Sequence, residues 1–180
     1  MPEGEGPGAS GSRAPTLAAL VERIFPESSW GPGARQLGLA ELVWELASSP
    51  AGRGQDSYRQ PPFADTDVPG LGWQWKATPL DALEHGLDVV QKWSLGTHEM
   101  AFADLPSAEQ VYAVSALEGG SLPGFQLVSA TAFFDLLYGY VFDALFVVPT
   151  SGGYSLDAVW DGLGLRPHPA PGAAAGESGP

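Results

Sequence analysis

The sequence predicts an all-α fold, a compact bundle of about five helices. Apolar residues recur at helical spacing in successive segments, and residues that start or stop helices flank most of these segments. No segment shows the sustained alternation of apolar and polar residues that predicts a β-hairpin. The 180 residues suit a single domain of ordinary size. We place this domain at residues 15–166, between disordered tails at 1–14 and 167–180.

The first two helices are predicted from stop signals and apolar stripes. The first begins at an N-cap, Thr16, and ends at Pro26, because proline disfavours helical backbone in the residue before it. The second spans about residues 33–48 and ends before Pro50. Residues 49–77 form a long irregular loop, a length that is typical of functional segments or insertions. The apolar stripes of the two helices comprise Leu17, Leu20, Val21, Ile24, and Leu39, Leu42, Val43, Leu46.

The remaining helices follow the loop. Thr78 is the predicted N-cap of the third helix, and its apolar stripe comprises Leu80, Leu83, Leu87 and Val90. The fourth begins at Ser107 with a predicted capping box, in which Gln110 reaches back to the helix start, and it ends at Gly119 and Gly120. The fifth covers about residues 124–147, and Gly139 leaves open whether it is one helix or two.

The fifth segment is long enough to cross a bilayer but contains two acidic residues. Asp135 and Asp143 would each cost about 2.5–3.5 kcal/mol near a membrane centre. We therefore expect a core helix and no transmembrane segment. A membrane-associated interaction protein that uses residues 124–147 remains an alternative.

The composition excludes several functional classes. The chain carries 8 Lys+Arg against 21 Asp+Glu, a net charge of −13, which disfavours nucleic acid and anionic membranes as partners. The absence of cysteine excludes disulfides, thiolate zinc sites, iron–sulfur clusters and covalently attached haem. The first fourteen residues lack the apolar region of a secretion signal, so the sequence as written predicts a cytoplasmic protein.

A search for catalytic, cofactor-binding and metal-binding motifs finds none. Residues 119–123 lack the last glycine of a nucleophile elbow, and residues 33–38 lack the lysine of a phosphate loop. The histidines are far apart in the sequence and form no zinc motif. One alternative is a stand-alone helical enzyme that acts on a sugar-like substrate through carboxylates such as Asp104, Asp135 or Asp143. Four tryptophans near glycines and prolines are candidate interface anchors, namely Trp30, Trp73, Trp75 and Trp160.

A succession of short motifs carries a family resemblance. These motifs are TLAALVERIFP at residues 16–26, GPGA at 31–34, FADL at 102–105, AEQ at 108–110, PTSGG at 149–153 and WDGLG at 160–164. Their order and spacing over residues 16–166 resemble the gluconate 2-dehydrogenase subunit 3 family, the small subunits of flavin-dependent sugar and polyol dehydrogenases. One departure is Tyr154, which follows Gly152-Gly153 where the family has asparagine.

The resemblance implies a helical accessory subunit that holds no cofactor. Its partner would be a separate large subunit of the glucose–methanol–choline type, which holds FAD and oxidises the sugar or polyol. A cytochrome c subunit is a further candidate partner. In many family members the small subunit carries an export signal, so a periplasmic location reached with a partner is the alternative to the cytoplasm. The residues expected to shape or support the docking surface are Phe25, Pro26, Trp30, Gly152, Gly153 and Trp160.

Overall fold

The computed structural model describes residues 8–29, 31–55 and 75–146. These residues contain five α-helices, one 3-10 turn and no β-strand, which confirms the predicted fold class. The 3-10 turn, Phe102–Asp104, lies between the third and fourth helices. The helices are α1 (Gly8–Ile24), α2 (Leu39–Ala47), α3 (Pro79–His98), α4 (Ser107–Glu118) and α5 (Ala130–Phe146).

The core forms where all five helices meet. Helices α1 and α5 each pack against the other four. The largest fully buried side chains are Phe102, from the 3-10 turn, and Phe133, from α5. The apolar stripes predicted from helical spacing face this core, because most of their members are buried. The buried members are Leu17, Leu20, Val21, Leu39, Leu42, Val43, Leu83, Leu87 and Val90.

Helix α1 begins earlier than the sequence predicts. Thr16 is not an N-cap, because it lies inside the helix with its hydroxyl 2.9 Å from the carbonyl oxygen of Ser12. Residues 8–14, predicted as part of a disordered tail, are helical. Arg13 explains part of this difference, because its guanidinium donates to both carboxylate oxygens of Asp88 at 2.9 and 2.7 Å and lies 3.2 Å from Glu84. This contact fastens the start of α1 to α3.

The helix starts predicted at Thr78 and Ser107 have opposite outcomes. At α3, the Thr78 hydroxyl accepts from the Asp81 backbone N–H, and the Asp81 carboxylate accepts from the Thr78 backbone N–H, both at 3.0 Å. The box predicted at α4 is wrong. Pro106 is its N-cap and supplies no side-chain hydrogen bond, while the buried Gln110 donates to the carbonyl oxygens of residues 102 and 103.

Two other predicted boundaries also shift. Helix α2 starts at Leu39, later than predicted, because residues 34–38 form turns that end in the left-handed backbone of Gly38, with φ of 64°. Helix α5 starts at Ala130 and runs through Gly139 as one helix. The Ser129 hydroxyl accepts from the Ala132 backbone N–H at 3.0 Å at its start. In the described part of the chain, no helix is both long and apolar enough to cross a membrane.

Candidate docking surface

The connection between α1 and α2, residues 25–38, contains three of the residues predicted for docking, of which the structure describes Phe25 and Pro26. Phe25 is half-buried and packs against the core, whereas Pro26 is exposed. Of the two, Pro26 is therefore the more accessible to a partner in the described structure. The other four predicted positions lie outside the described residues: Trp30, Gly152, Gly153 and Trp160.

This connection folds tightly on itself. Ser28 and Gly31 exchange two backbone hydrogen bonds of 3.1 and 3.2 Å, and the Ala34 N–H donates to the Phe25 carbonyl at 2.8 Å. Gly33 packs against the backbone of Pro26 and Glu27, so closely that an added Cβ would lie 2.3 Å from the Glu27 backbone nitrogen. Only glycine fits there without a shift of backbone, so this position fixes the path of the connection.

The described structure has two open grooves. One of about 510 Å³ lies along the outer face of α3, and we call it the α3 groove. A second groove of about 460 Å³ separates α1 from α2. We call this second one the α1–α2 groove. Its small side chains leave room between the helices, and Glu41 and Glu45 lie along its α2 side. A smaller cavity that includes Ala34 and Arg35 shares three of its lining residues, so the groove continues to the connection. The apolar lining comprises Ala14, Leu17, Ala18, Ala40 and Trp44.

The charges of the α1–α2 groove are unbalanced within the described part of the chain. Glu41 and Glu45 are both exposed and stand one helical turn apart, where like charges repel. Neither carboxylate forms an ion pair with any of the described residues. Arg13 also lines this groove but directs its guanidinium to Asp88 and Glu84 on α3. The α2 side of the groove is therefore an acidic edge above an apolar floor.

The groove on the outer face of α3 runs between that helix and residues 123–126. The Nε2 atom of His85 lies 3.4 and 3.5 Å from the backbone N–H groups of Gln126 and Leu127. Because Nε2 faces two donors, the neutral imidazole with its proton on Nδ1 fits this arrangement. Burial lowers the pKa of His85 below its ordinary value, and the nearby Asp88 carboxylate opposes that change. Histidine 85 thus links α3 to the segment before α5.

An aromatic contact extends the α3 groove. Trp93 lines it and stacks on Tyr112 of α4, with ring centroids 6.5 Å apart. Tyr112 is 62% exposed, the largest exposed fraction among the large apolar side chains of the described part. His98 completes the cluster, edge-on to Trp93 at 5.1 Å. The cluster exposes aromatic surface beside the α3 groove.

The carboxylates considered for a stand-alone enzyme do not line either groove. Asp104, Asp135 and Asp143 are all exposed, on the 3-10 turn and on α5. Asp143 acts on a neighbour instead, because burial and this carboxylate together raise the pKa of Tyr140. Within residues 8–29, 31–55 and 75–146, no group of three or more acidic or histidine side chains could hold a metal ion.

Sequence reasoning missed the α1–α2 groove and misjudged one tryptophan. Trp75, predicted as a candidate interface anchor, is 8% exposed and belongs to the core. Trp44, which the sequence analysis does not single out, is half-buried and lines the groove together with Glu41 and Glu45. The sequence contains a pattern that indicates this cluster, because positions 41, 44 and 45 share one face of a helix and therefore bring the tryptophan and both glutamates together.

Comparison with known protein families matches residues 12–167 to the family described as gluconate 2-dehydrogenase subunit 3. The match covers all five helices except the first four residues of α1. It therefore includes the α1–α2 groove, the connection and the α3 groove. No curated protein and no solved structure matches the chain.

Proposed function

This chain belongs to the gluconate 2-dehydrogenase subunit 3 family, and we propose that it is an accessory subunit without catalytic activity of its own. It binds and stabilises the large, FAD-dependent subunit of a sugar or polyol dehydrogenase of the glucose–methanol–choline type. The large subunit holds FAD and carries out the oxidation, and a cytochrome c subunit is a further partner. The family match is the observation that carries this proposal.

Two features of the surface support binding to a protein partner. Tyr112 and Tyr138 expose 62% and 53% of their surface on α4 and α5, and aromatic side chains are enriched in protein interfaces. The α1–α2 groove offers a concave surface that continues to Ala34 and Arg35 of the connection. The candidate carboxylates, in contrast, lie outside both grooves, so the described residues favour binding over catalysis.

Binding alone is sufficient to stabilise a partner. A subunit that binds only the folded large subunit adds about 2.7 kcal/mol to its stability when present at 100 times the dissociation constant. This effect needs no chemistry from the small subunit. We therefore expect the large subunit to gain thermal stability and solubility, with its FAD site unchanged.

Co-expression tests the proposal. A tagged copy of this chain is produced with an untagged FAD-dependent large subunit of the glucose–methanol–choline type from the same organism, and the control replaces this chain with an unrelated tagged helical protein. We expect the flavoprotein to co-purify in a fixed ratio with the tagged chain and to melt at a higher temperature than it does alone. A flavoprotein that is soluble, loaded with FAD and equally stable alone, and that never co-purifies, would contradict the proposal. Turnover of sugars by the isolated chain would also contradict it.

A further inference from the structure

We infer that the α1–α2 groove receives a cationic segment of the large subunit, with an Arg or Lys side chain lying against Trp44 between Glu41 and Glu45. The inference rests on the proposed function, because the occupant is the partner named there. It adds the position of the contact and the charge of the segment that fills it.

The shape of the groove suits a long side chain with an apolar stem. Ala14 and Ala18 on α1 face Ala40 on α2, and these small side chains leave open space of about 460 Å³. Trp44 is half-buried and also lines this space. Arg and Lys bury their methylene stems against apolar surface while their charged ends stay at the edge. A groove with an apolar floor and an acidic edge accommodates both parts.

The charges determine which kind of segment fits. Glu41 and Glu45 repel each other across one helical turn, and no described residue forms an ion pair with either. A cation placed between them removes this repulsion and forms charge-assisted hydrogen bonds. The indole ring of Trp44 adds a cation–π contact, for which tryptophan is the best aromatic side chain. The three side chains lie on one face of α2 and contact the same cation.

The same charges disfavour a second copy of this chain as the occupant. A symmetric dimer through this groove would bring Glu41 and Glu45 of one copy against those of the other. Like charges that face each other across an interface oppose association. The chain also carries a net charge of −13, which adds long-range repulsion between copies and attraction to a basic surface.

The first experiment measures the affinity of this chain for the FAD-dependent large subunit that co-purifies with it in the test above. The test variant combines Glu41→Gln with Glu45→Gln, which preserves side-chain shape. We expect the affinity at low salt to fall at least about tenfold, mostly through slower association, and the salt dependence to weaken. The matched control combines Asp104→Asn with Glu118→Gln, two exposed carboxylates outside the groove, and we expect its affinity to stay within about twofold of wild type.

A second variant tests the aromatic contact. Trp44→Ala should weaken binding by about tenfold or more, whereas Leu95→Ala, at an exposed apolar position outside both grooves, should have a smaller effect. Because Trp44 packs against the core, thermal unfolding of each free variant is measured in parallel. The glutamine pair keeps the test valid even if Trp44→Ala unfolds.

The outcomes separate this inference from the proposed function. If wild type does not bind the flavoprotein, the proposed function fails. If wild type binds and the glutamine pair binds equally well, only the groove inference is overturned. Self-association of wild type that the glutamine pair abolishes would place a second copy in the groove and would also overturn it.

Discussion

Gly86 of α3 lies directly against the ring of Phe133 of α5. A Cβ atom on Gly86 would stand 2.1 Å from Cδ2 and 2.2 Å from Cε2 of that ring. Phe133 is fully buried, and its other contacts include the ring of Phe125 at a centroid distance of 5.5 Å. Because the Phe133 ring is fully buried among other side chains, it cannot move away from an added Cβ without disturbing the core. The close approach of α3 to α5 therefore depends on glycine at position 86.

Replacing Gly86 with alanine should therefore destabilise the protein although alanine favours helices. Overpacking a core of this density costs about 1–3 kcal/mol, and we expect the free energy of unfolding in urea to fall by that amount. Gly96→Ala in the same helix is the matched control, because nothing lies within 4 Å of its added Cβ. That control should stabilise the protein by about 0.5–1 kcal/mol. Equal effects of the two variants would contradict the packing argument.

A second prediction concerns Thr78 and Ser107, the residues at which the sequence predicts the starts of α3 and α4. Thr78→Ala removes the acceptor of the Asp81 backbone N–H and should cost about 1 kcal/mol of unfolding free energy. Ser107→Ala should change it by less than about 0.5 kcal/mol, because the Ser107 side chain caps nothing. Urea unfolding of both variants measures the difference. A larger loss at Ser107 would show that α4 is capped by that residue after all.

The same pair of helix starts shows what sequence predicts well. The box at Thr78 involves residues three positions apart, so local sequence contains all of its parts. At α4 the matching pattern is overridden, because Gln110 instead satisfies the buried carbonyl oxygens of Phe102 and Ala103. Those carbonyl oxygens lie near Gln110 because the 3-10 turn packs Phe102 into the core. The spacing of residues in the sequence does not predict this packing.

The start of α1 provides a third prediction, about Arg13. Arg13→Ala removes the bidentate hydrogen bonds to the Asp88 carboxylate and should cost about 1–2 kcal/mol of unfolding free energy. Because the contact fastens the start of α1, amide hydrogen exchange in residues 8–14 should speed up more than in the rest of the helix. Arg35→Ala is the control, because this exposed arginine forms no ion pair with any of the described residues. Unchanged exchange at residues 8–14 would contradict this role.

Composition could not reveal that helical start. Residues 8–14 are mostly glycine, alanine and serine, which have little apolar surface to bury. The contact that orders them joins residues 75 positions apart in the sequence. The candidate docking residues are a similar case. A local motif predicts Phe25 and Pro26, whereas the α1–α2 groove forms only where two helices lie side by side.

Gly33 gives a fourth prediction, on the shape of the connection. Gly33→Ala places a Cβ against the Glu27 backbone and should cost about 1–3 kcal/mol of unfolding free energy. It should also weaken co-purification with the FAD-dependent subunit, because the exposed turn at Pro26 is displaced. Gly139→Ala is the control, since its Cβ would meet nothing within 4 Å. Wild-type stability and binding in Gly33→Ala would contradict the tight fold of this connection.

His85 gives the fifth prediction, a dependence of stability on pH. Burial lowers the pKa of His85 in the folded state, and the Asp88 carboxylate opposes this only in part. The unfolded chain, with its ordinary histidine pKa of about 6.5, therefore binds a proton more readily than the folded chain does. Stability contributed by neutral His85 is fully present above that pH and is lost as the pH falls below it. Protonation also places a new N–H against the backbone donors of Gln126 and Leu127.

Thermal unfolding between pH 7.5 and pH 5 measures this effect in wild type and in His85→Gln. Glutamine retains an acceptor for the two backbone N–H groups but does not titrate in this range, so its melting temperature should fall less on acidification than that of wild type. The wild-type loss should also release the segment before α5, which faster amide exchange at residues 123–128 would report. The same decline in both proteins would assign the pH dependence to other groups, because only the imidazole at position 85 distinguishes them.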